Sequence, residues 1–161
     1  MSQAKEYGNV TNKPLLTGDD DKLIRDIFHI PELHILTGVV GKIVKELEGK
    51  AFKTPQEGKD FMNSWLKKEV IRRCVYQGSA SFEGNQAEKL LKKVDSLEQA
   101  VMSWGCQETI VQALPFIQVL RLFKRVVEAC FGQTLHSSYT TFIKNFMVAY
   151  RMLGISIPLK V

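Results

Sequence analysis

Apolar residues recur along this chain at intervals of three and four, and the stretches where they do so predict a succession of helices. The first is short, Lys22 to Phe28, and follows Asp19-Asp20-Asp21. An acidic triplet can bind a metal, but directly before a helix it is read as capping, where negative charge meets free N–H groups and the dipole. The second runs from Pro31 to Gly49, with Leu33, Leu36, Val40, Ile43, Val44 and Leu47 as its apolar stripe. Proline suits a first turn and glycine a C-terminal stop. The third, 57–74, carries Phe61, Met62, Trp65, Leu66, Val70, Ile71 and Cys74 on one face. The fourth, 86–104, carries Ala87, Leu90, Leu91, Val94, Leu97, Val101 and Trp104. The fifth, 115–131, places Pro115 in its first turn, and Gly132 stops it. The sixth, 139–153, turns Phe142, Ile143, Phe146, Met147, Tyr150 and Leu153 inward.

The pattern changes at both ends. Asn9, Asn12, Pro14 and Gly18 break regular structure, so residues 1–18 read as an extended arm. Residues 155–161 alternate in polarity like a half-buried strand, and Pro158 places that strand at an edge. The pattern is cut off on the apolar Val161, which is expected of a piece of a longer polypeptide. The expected fold is therefore all-α, or nearly so. About five or six helices surround one core in a helical domain over 19–154, between an arm at 1–18 and a truncated strand or extended segment at 155–161.

Beside the apolar stripe of the second helix runs another line, His34, Gly38, Gly41 and Lys45, four, three and four residues apart. It reads either as a ligand site or as packing, with the two glycines admitting a neighbouring helix or strand. Packing is the preferred reading, and on it a leucine at Gly38 or Gly41 overpacks the fold.

Composition narrows the picture modestly. The chain has 161 residues, 45% of them hydrophobic and 24% charged, enough for one domain with a core. No apolar run reaches the ~18 residues of a membrane span, and Met1–Tyr7 has no apolar core of a signal peptide. Cys74, Cys106 and Cys130 are odd in number and far apart, which argues against a disulfide framework and for an intracellular protein, of the cytosol or the nucleus. A zinc site from His29, His34 and a distant cysteine matches none of the usual ligand spacings. No nucleophile, metallohydrolase or phosphate-loop motif is present, and the glycines around Gly84 lack the lysine and hydroxyl residue such a loop needs. No cofactor is expected, and no catalytic residue is assigned.

The net charge of +5 matters where it is concentrated. Lys59, Lys67, Lys68, Arg72 and Arg73 make the densest basic region, and Lys89, Lys92 and Lys93 a second. The simpler reading is a solvated helix face; the sharper one is a phosphate-contacting surface. Lys67, Lys68, Arg72, Arg73, Lys92 and Lys93 are the candidates for the latter. Aromatic or arginine groups that would read bases are not evident beside them.

Several segments in order carry a resemblance. They are Glu6–Val10 with Lys13–Leu16; Ile30–Val40; Phe82–Gln86 with Lys89–Asp95; Val126–Gly132; and Leu153–Val161. Together they resemble the C-terminal half of transposable-element-like proteins of invertebrates, across nearly the whole chain. The resemblance implies a relationship to DNA transposases, whose ribonuclease-H-like core is interrupted by helices. In the resembling proteins a cysteine-rich segment precedes the counterpart of residue 1, and a histidine and acidic residues follow the counterpart of Val161. The expectation is a helical fragment of a transposase-like protein that contacts DNA or acts as a scaffold and is not catalytic alone. Its expected partners are DNA, the remainder of a longer protein or a second copy, and no membrane. The alternatives are a protein-interaction module using the Gly38/Gly41 groove or apolar surface near Val161, and a metal enzyme centred on His34.

Overall fold

Leu36, Val39, Val40, Ile43, Val44 and Leu47 lie on one stripe of a 19-residue helix, α1 (Glu32–Lys50), and all are buried. Four other elements pack against that helix. The computed structural model describes residues 32–76, 79–131 and 134–155. The arm at 1–18, the acidic triplet, the helix expected at 22–28, the stop at Gly132 and the terminal strand beyond Ile155 lie outside the described residues. The described helices belong to one compact unit that begins at Glu32.

Helix α2 (Pro55–Lys68) begins at Pro55, whose missing N–H costs nothing in a first turn. The Thr54 hydroxyl accepts from the Glu57 N–H at 3.2 Å and caps it. Strands β1 (Cys74–Tyr76) and β2 (Ser79–Ser81) pair antiparallel, with Cys74 opposite Ser81 and Tyr76 opposite Ser79. Helices α3 (Gly84–Lys92), α4 (Val94–Met102), α5 (Gln107–Cys130) and α6 (Tyr139–Met152) complete the described chain. Helix α1 packs on α2, α3, α5 and β2, and α5 packs in addition on α3, α4 and α6. The mainly α architecture expected from periodicity is what the described residues adopt, with six helices and one small hairpin among them.

Three boundaries and the exposure of two residues differ from expectation. The third helix ends at Lys68, because Val70 takes a left-handed conformation (φ 57°). Its N–H donates to the Lys67 carbonyl at 3.2 Å, and the Ile71 N–H donates to Leu66 at 2.8 Å. That pair of bonds closes a helix C-terminus, and buried Ile71 covers buried Leu66 as such closures favour. The chain can then turn back as the hairpin, which the helical periodicity concealed.

The fourth helix is two. Lys93 leaves helical geometry (φ −104°, ψ 14°), so Ala87, Leu90 and Leu91 face α1 and α5 while Val94, Leu97 and Val101 face α5. The fifth begins two turns before Pro115, at Gln107. Proline within a helix leaves the carbonyl four residues earlier without its N–H donor. Here that residue is Val111, which is exposed, as is Pro115, so the break falls on the solvent face of the helix. Lastly, Leu33 and Ile143, expected to face inward, are 55% and 38% exposed.

Two polar contacts hold the helices in place. Arg121 of α5 donates to Asp95 at 2.9 Å and Glu98 at 2.6 Å, both on α4. Glu48, 5% exposed on α1, pairs with Arg73 before the hairpin, and the Arg73 guanidinium also lies over the Phe82 ring at 5.8 Å. A carboxylate this buried requires a countercharge. At the far side of α5, Phe123, Phe146 and Tyr150 stack in sequence, and burial, then the Glu46 charge, pushes the Tyr150 phenol up to about 12.

Candidate nucleic-acid interface

The last turn of α2 carries Lys67 and Lys68, and the turn after it carries Val70 and Arg72. All three cations are exposed, and none has an ion-pair partner among the described residues. Cations at a helix C-terminus are favoured by its dipole, which offsets part of their mutual repulsion. The Arg72 backbone is fixed where its N–H donates to the Gln86 side-chain carbonyl at 2.9 Å.

A chain of polar side chains anchors this turn to α4. The Trp65 indole N–H donates to the Ser96 hydroxyl at 3.3 Å, and Ser96 donates to Glu69 at 2.6 Å. Lys93 completes it with an ammonium 3.3 Å from Glu69. The Ser96 hydrogen bond, then Lys93, hold the Glu69 carboxyl below its ordinary range, against the upward push of burial. Lys89, four residues before Lys93 and therefore on the same face of α3, donates to the Val70 carbonyl at 2.9 Å.

The six expected contact residues thus separate. Lys67, Lys68 and Arg72 are exposed at the end of α2, with Lys67 and Arg72 on one side of the turn and Lys68 on the other, and Lys93 reaches the same turn through Glu69. Arg73 is turned inward to Glu48 and Phe82. Lys92 pairs with Glu88 on its own helix at 2.7 Å. Lys89, part of the second basic cluster but not among the six, reaches the turn that Lys92 does not. The four-residue spacing of Lys89 and Lys93 was the available signal.

Two depressions flank the turn. One, of about 380 Å³, is lined by Asn63, Leu66, Lys67, Val70, Ile71, Arg72 and Arg73. The other, of about 340 Å³, is lined by Asp60, Phe61, Ser64, Trp65 and Lys68 of α2 together with Ala100 and Trp104. Trp104 follows α4 immediately before Gly105, whose positive φ of 81° turns the chain. No sequence spacing connects Trp104 with Lys68; only the tertiary structure brings both to one groove.

The His34–Gly38–Gly41–Lys45 line is partly open. A Cβ at Gly38 would meet nothing within 4 Å, and one at Gly41 would meet only the Ser81 hydroxyl at 3.7 Å. The close approach expected there occurs instead at Gly58, where α2 crosses the end of α1. A Cβ at Gly58 would overlap the Glu48 backbone. His34 is exposed, and His29 lies outside the described residues. Among the described residues no three His, Cys, Asp or Glu side chains converge on a metal site. The three cysteines are unbonded and half-buried. Cys106 sits at the start of α5, where the Thr109 N–H and hydroxyl, with Lys53 nearby, hold its thiol below the ordinary range. Among the described residues no helix is long and apolar enough to cross a membrane. No protein-family model, curated protein or solved structure matches this chain.

Proposed function

We propose that this chain is the helical part of a transposase-like protein, and that it contacts the phosphate backbone of DNA through the surface around the C-terminal turn of α2. It acts as a contact or scaffold and does not catalyse strand cleavage alone. The observation that carries this reading is the group Lys67, Lys68 and Arg72. These cations stand on one turn without carboxylate partners among the described residues, while Arg73, Lys92, Lys93 and Arg121 of the same region are each paired. Lys45, Lys53, Lys59, Lys124, Arg125, Lys144 and Arg151 also lack an ion pair among the described residues, but no three of them fall so close together in the chain. The resemblance of the ordered segments to transposable-element-like proteins supplies the expectation that the phosphate belongs to DNA.

The test is the salt dependence of duplex binding. Each neutralised phosphate contributes about 0.9 to the slope of log affinity against log salt. Replacing Lys67, Lys68 and Arg72 together with glutamine is expected to lower that slope by about two to three. Lys92→Gln, which removes one half of a neutral pair, changes it by less. Undetectable binding at low salt, or an unchanged slope in the triple variant, refutes the proposal. Magnesium-dependent cutting by the purified chain refutes the non-catalytic part.

A second reading, a protein-interaction module without a nucleic-acid role, is favoured by one observation. Val148 and Met152 lie one turn apart on α6 and are 53% and 83% exposed. A self-associated state lost in Met152→Glu, without salt-dependent DNA binding, selects that reading.

A further inference from the structure

We infer that the groove lined by α2, Ala100 and Trp104 is a stacking site for an unpaired nucleobase, so that the protein prefers single-stranded nucleic acid to duplex and, within it, bases that carry an exocyclic amino group. The inference rests on the phosphate-contact reading above and names its ligand class.

Trp104 is the central observation. It is 38% exposed, yet its ring is not free to swing. The Phe61 and Phe52 rings meet it nearly perpendicular, at 79° and 82°, with centroids 5.1 and 5.9 Å away. Phe52 and Phe61 in turn pack on each other at 5.0 Å. The Trp104 N–H donates to the Val101 carbonyl at 3.0 Å, which fixes the backbone as well. A large aromatic side chain held in place at a groove wall has already lost the rotamer freedom that binding would otherwise remove. Stacking on such a platform tolerates any base, because every base has a π-face.

The charges around the groove assign its halves. Lys68 lines one end of the groove, and Lys67 and Arg72 line the neighbouring depression. At its other end, about two helical turns from Lys68 along α2, the groove is lined by Asp60, held by the Gln56 amide at 2.9 Å, with Ser64 between them. A phosphate in the groove meets the Asp60 carboxylate and is repelled. A base with an amino group finds an acceptor there, as carboxylates accept from cytosine N4. The base therefore enters the groove and the phosphates follow the lysines. In a duplex both faces of every internal base are already stacked, so the groove is filled only by an unpaired one.

The experiment titrates the full chain with oligo(dC), oligo(rC), oligo(dT), a DNA duplex and polyglutamate, by anisotropy and by intrinsic tryptophan emission. Oligo(dC) is expected to bind more tightly than the duplex or oligo(dT) and to quench the emission. Trp104→Leu is expected to weaken oligo(dC) about tenfold and abolish the quenching while leaving duplex binding unchanged. Trp104→Phe, which keeps a stacking face, retains most of the affinity and guards against misfolding of the leucine variant. Asp60→Asn removes the preference for oligo(dC) over oligo(dT). Oligo(rC) binding as tightly as oligo(dC) extends the ligand to RNA; weaker binding limits it to DNA. If Trp104→Leu and Trp104→Phe both bind as the natural chain does, or if polyglutamate binds as tightly as oligo(dC), the stacking site is refuted. If that happens while the triple glutamine variant still loses duplex binding, the phosphate surface stands without it. If no nucleic acid binds at low salt, both readings fall.

Discussion

Val70 is the most strained described residue. A left-handed conformation costs an L-amino acid about 1–2 kcal/mol, and a β-branched side chain is poorly suited to it. Its side chain is 65% exposed, so little packing is at stake. Val70→Gly relieves the strain but gives back up to about 1 kcal/mol in unfolded-chain entropy. The net expectation is a stabilisation of up to about 1 kcal/mol, read as a melting temperature higher by about 2–4 °C. A lower melting temperature would contradict this account of the turn.

Two helical glycines give opposite expectations. Gly38 faces open space, so Gly38→Ala is expected to stabilise by about 0.5–1 kcal/mol through helix propensity alone. Gly58 lies against the Glu48 backbone, which cannot rotate away as a side-chain tip can. Gly58→Ala is expected to destabilise by about 1–3 kcal/mol. Chemical denaturation of both variants checks the pair. The overpacking expected of a leucine at Gly38 rested on a close approach that the fold makes at Gly58.

At the scale of elements, the end of α2 is fixed to α4 by Trp65, Ser96, Glu69 and Lys93, and this linkage carries a pH dependence. The Glu69 pKa is lower folded than unfolded. Its contribution to stability is complete above the unfolded carboxylate value and is lost as pH falls through the folded one. Glu46, lowered chiefly by its hydrogen bond to Lys50 and also by Lys42, adds in the same direction. The melting temperature is expected to fall below the ordinary carboxylate range. Glu69→Gln should melt lower at neutral pH and show a smaller acid drop. An undiminished acid drop would place the linkage elsewhere. The same elements show how far periodicity can be read. The apolar stripes of α1 and α6 identify Val40, Ile43, Leu47, Phe146 and Tyr150 as core. They cannot show that Val70 reverses the chain, because a reversal after Lys68 leaves the four-residue step from Leu66 to Val70 intact. Pro115 misleads for a related reason: its penalty depends on whether Val111 is hydrated, which is a property of the packed surface.

At the scale of the whole molecule, charge is the quantity that folding redistributes. A net +5 and two lysine-rich clusters are visible in the chain. Which cations stay unpaired is settled by partners distant in sequence: Glu48 takes Arg73, Glu69 takes Lys93, and Asp95 and Glu98 take Arg121. Of the cations left without an ion pair among the described residues, Lys67, Lys68 and Arg72 are the three that fall closest together in the chain. The sequence by itself determined the helical class, the buried faces and the concentration of positive charge, because each follows from composition or from spacing along one helix. Only the tertiary structure decided which cations stay unpaired, that Gly58 and not Gly38 marks the close crossing, and that Trp104 and Lys68 line one groove. Those are contacts between elements, and the periodicity of one helix holds no information about the helix it meets.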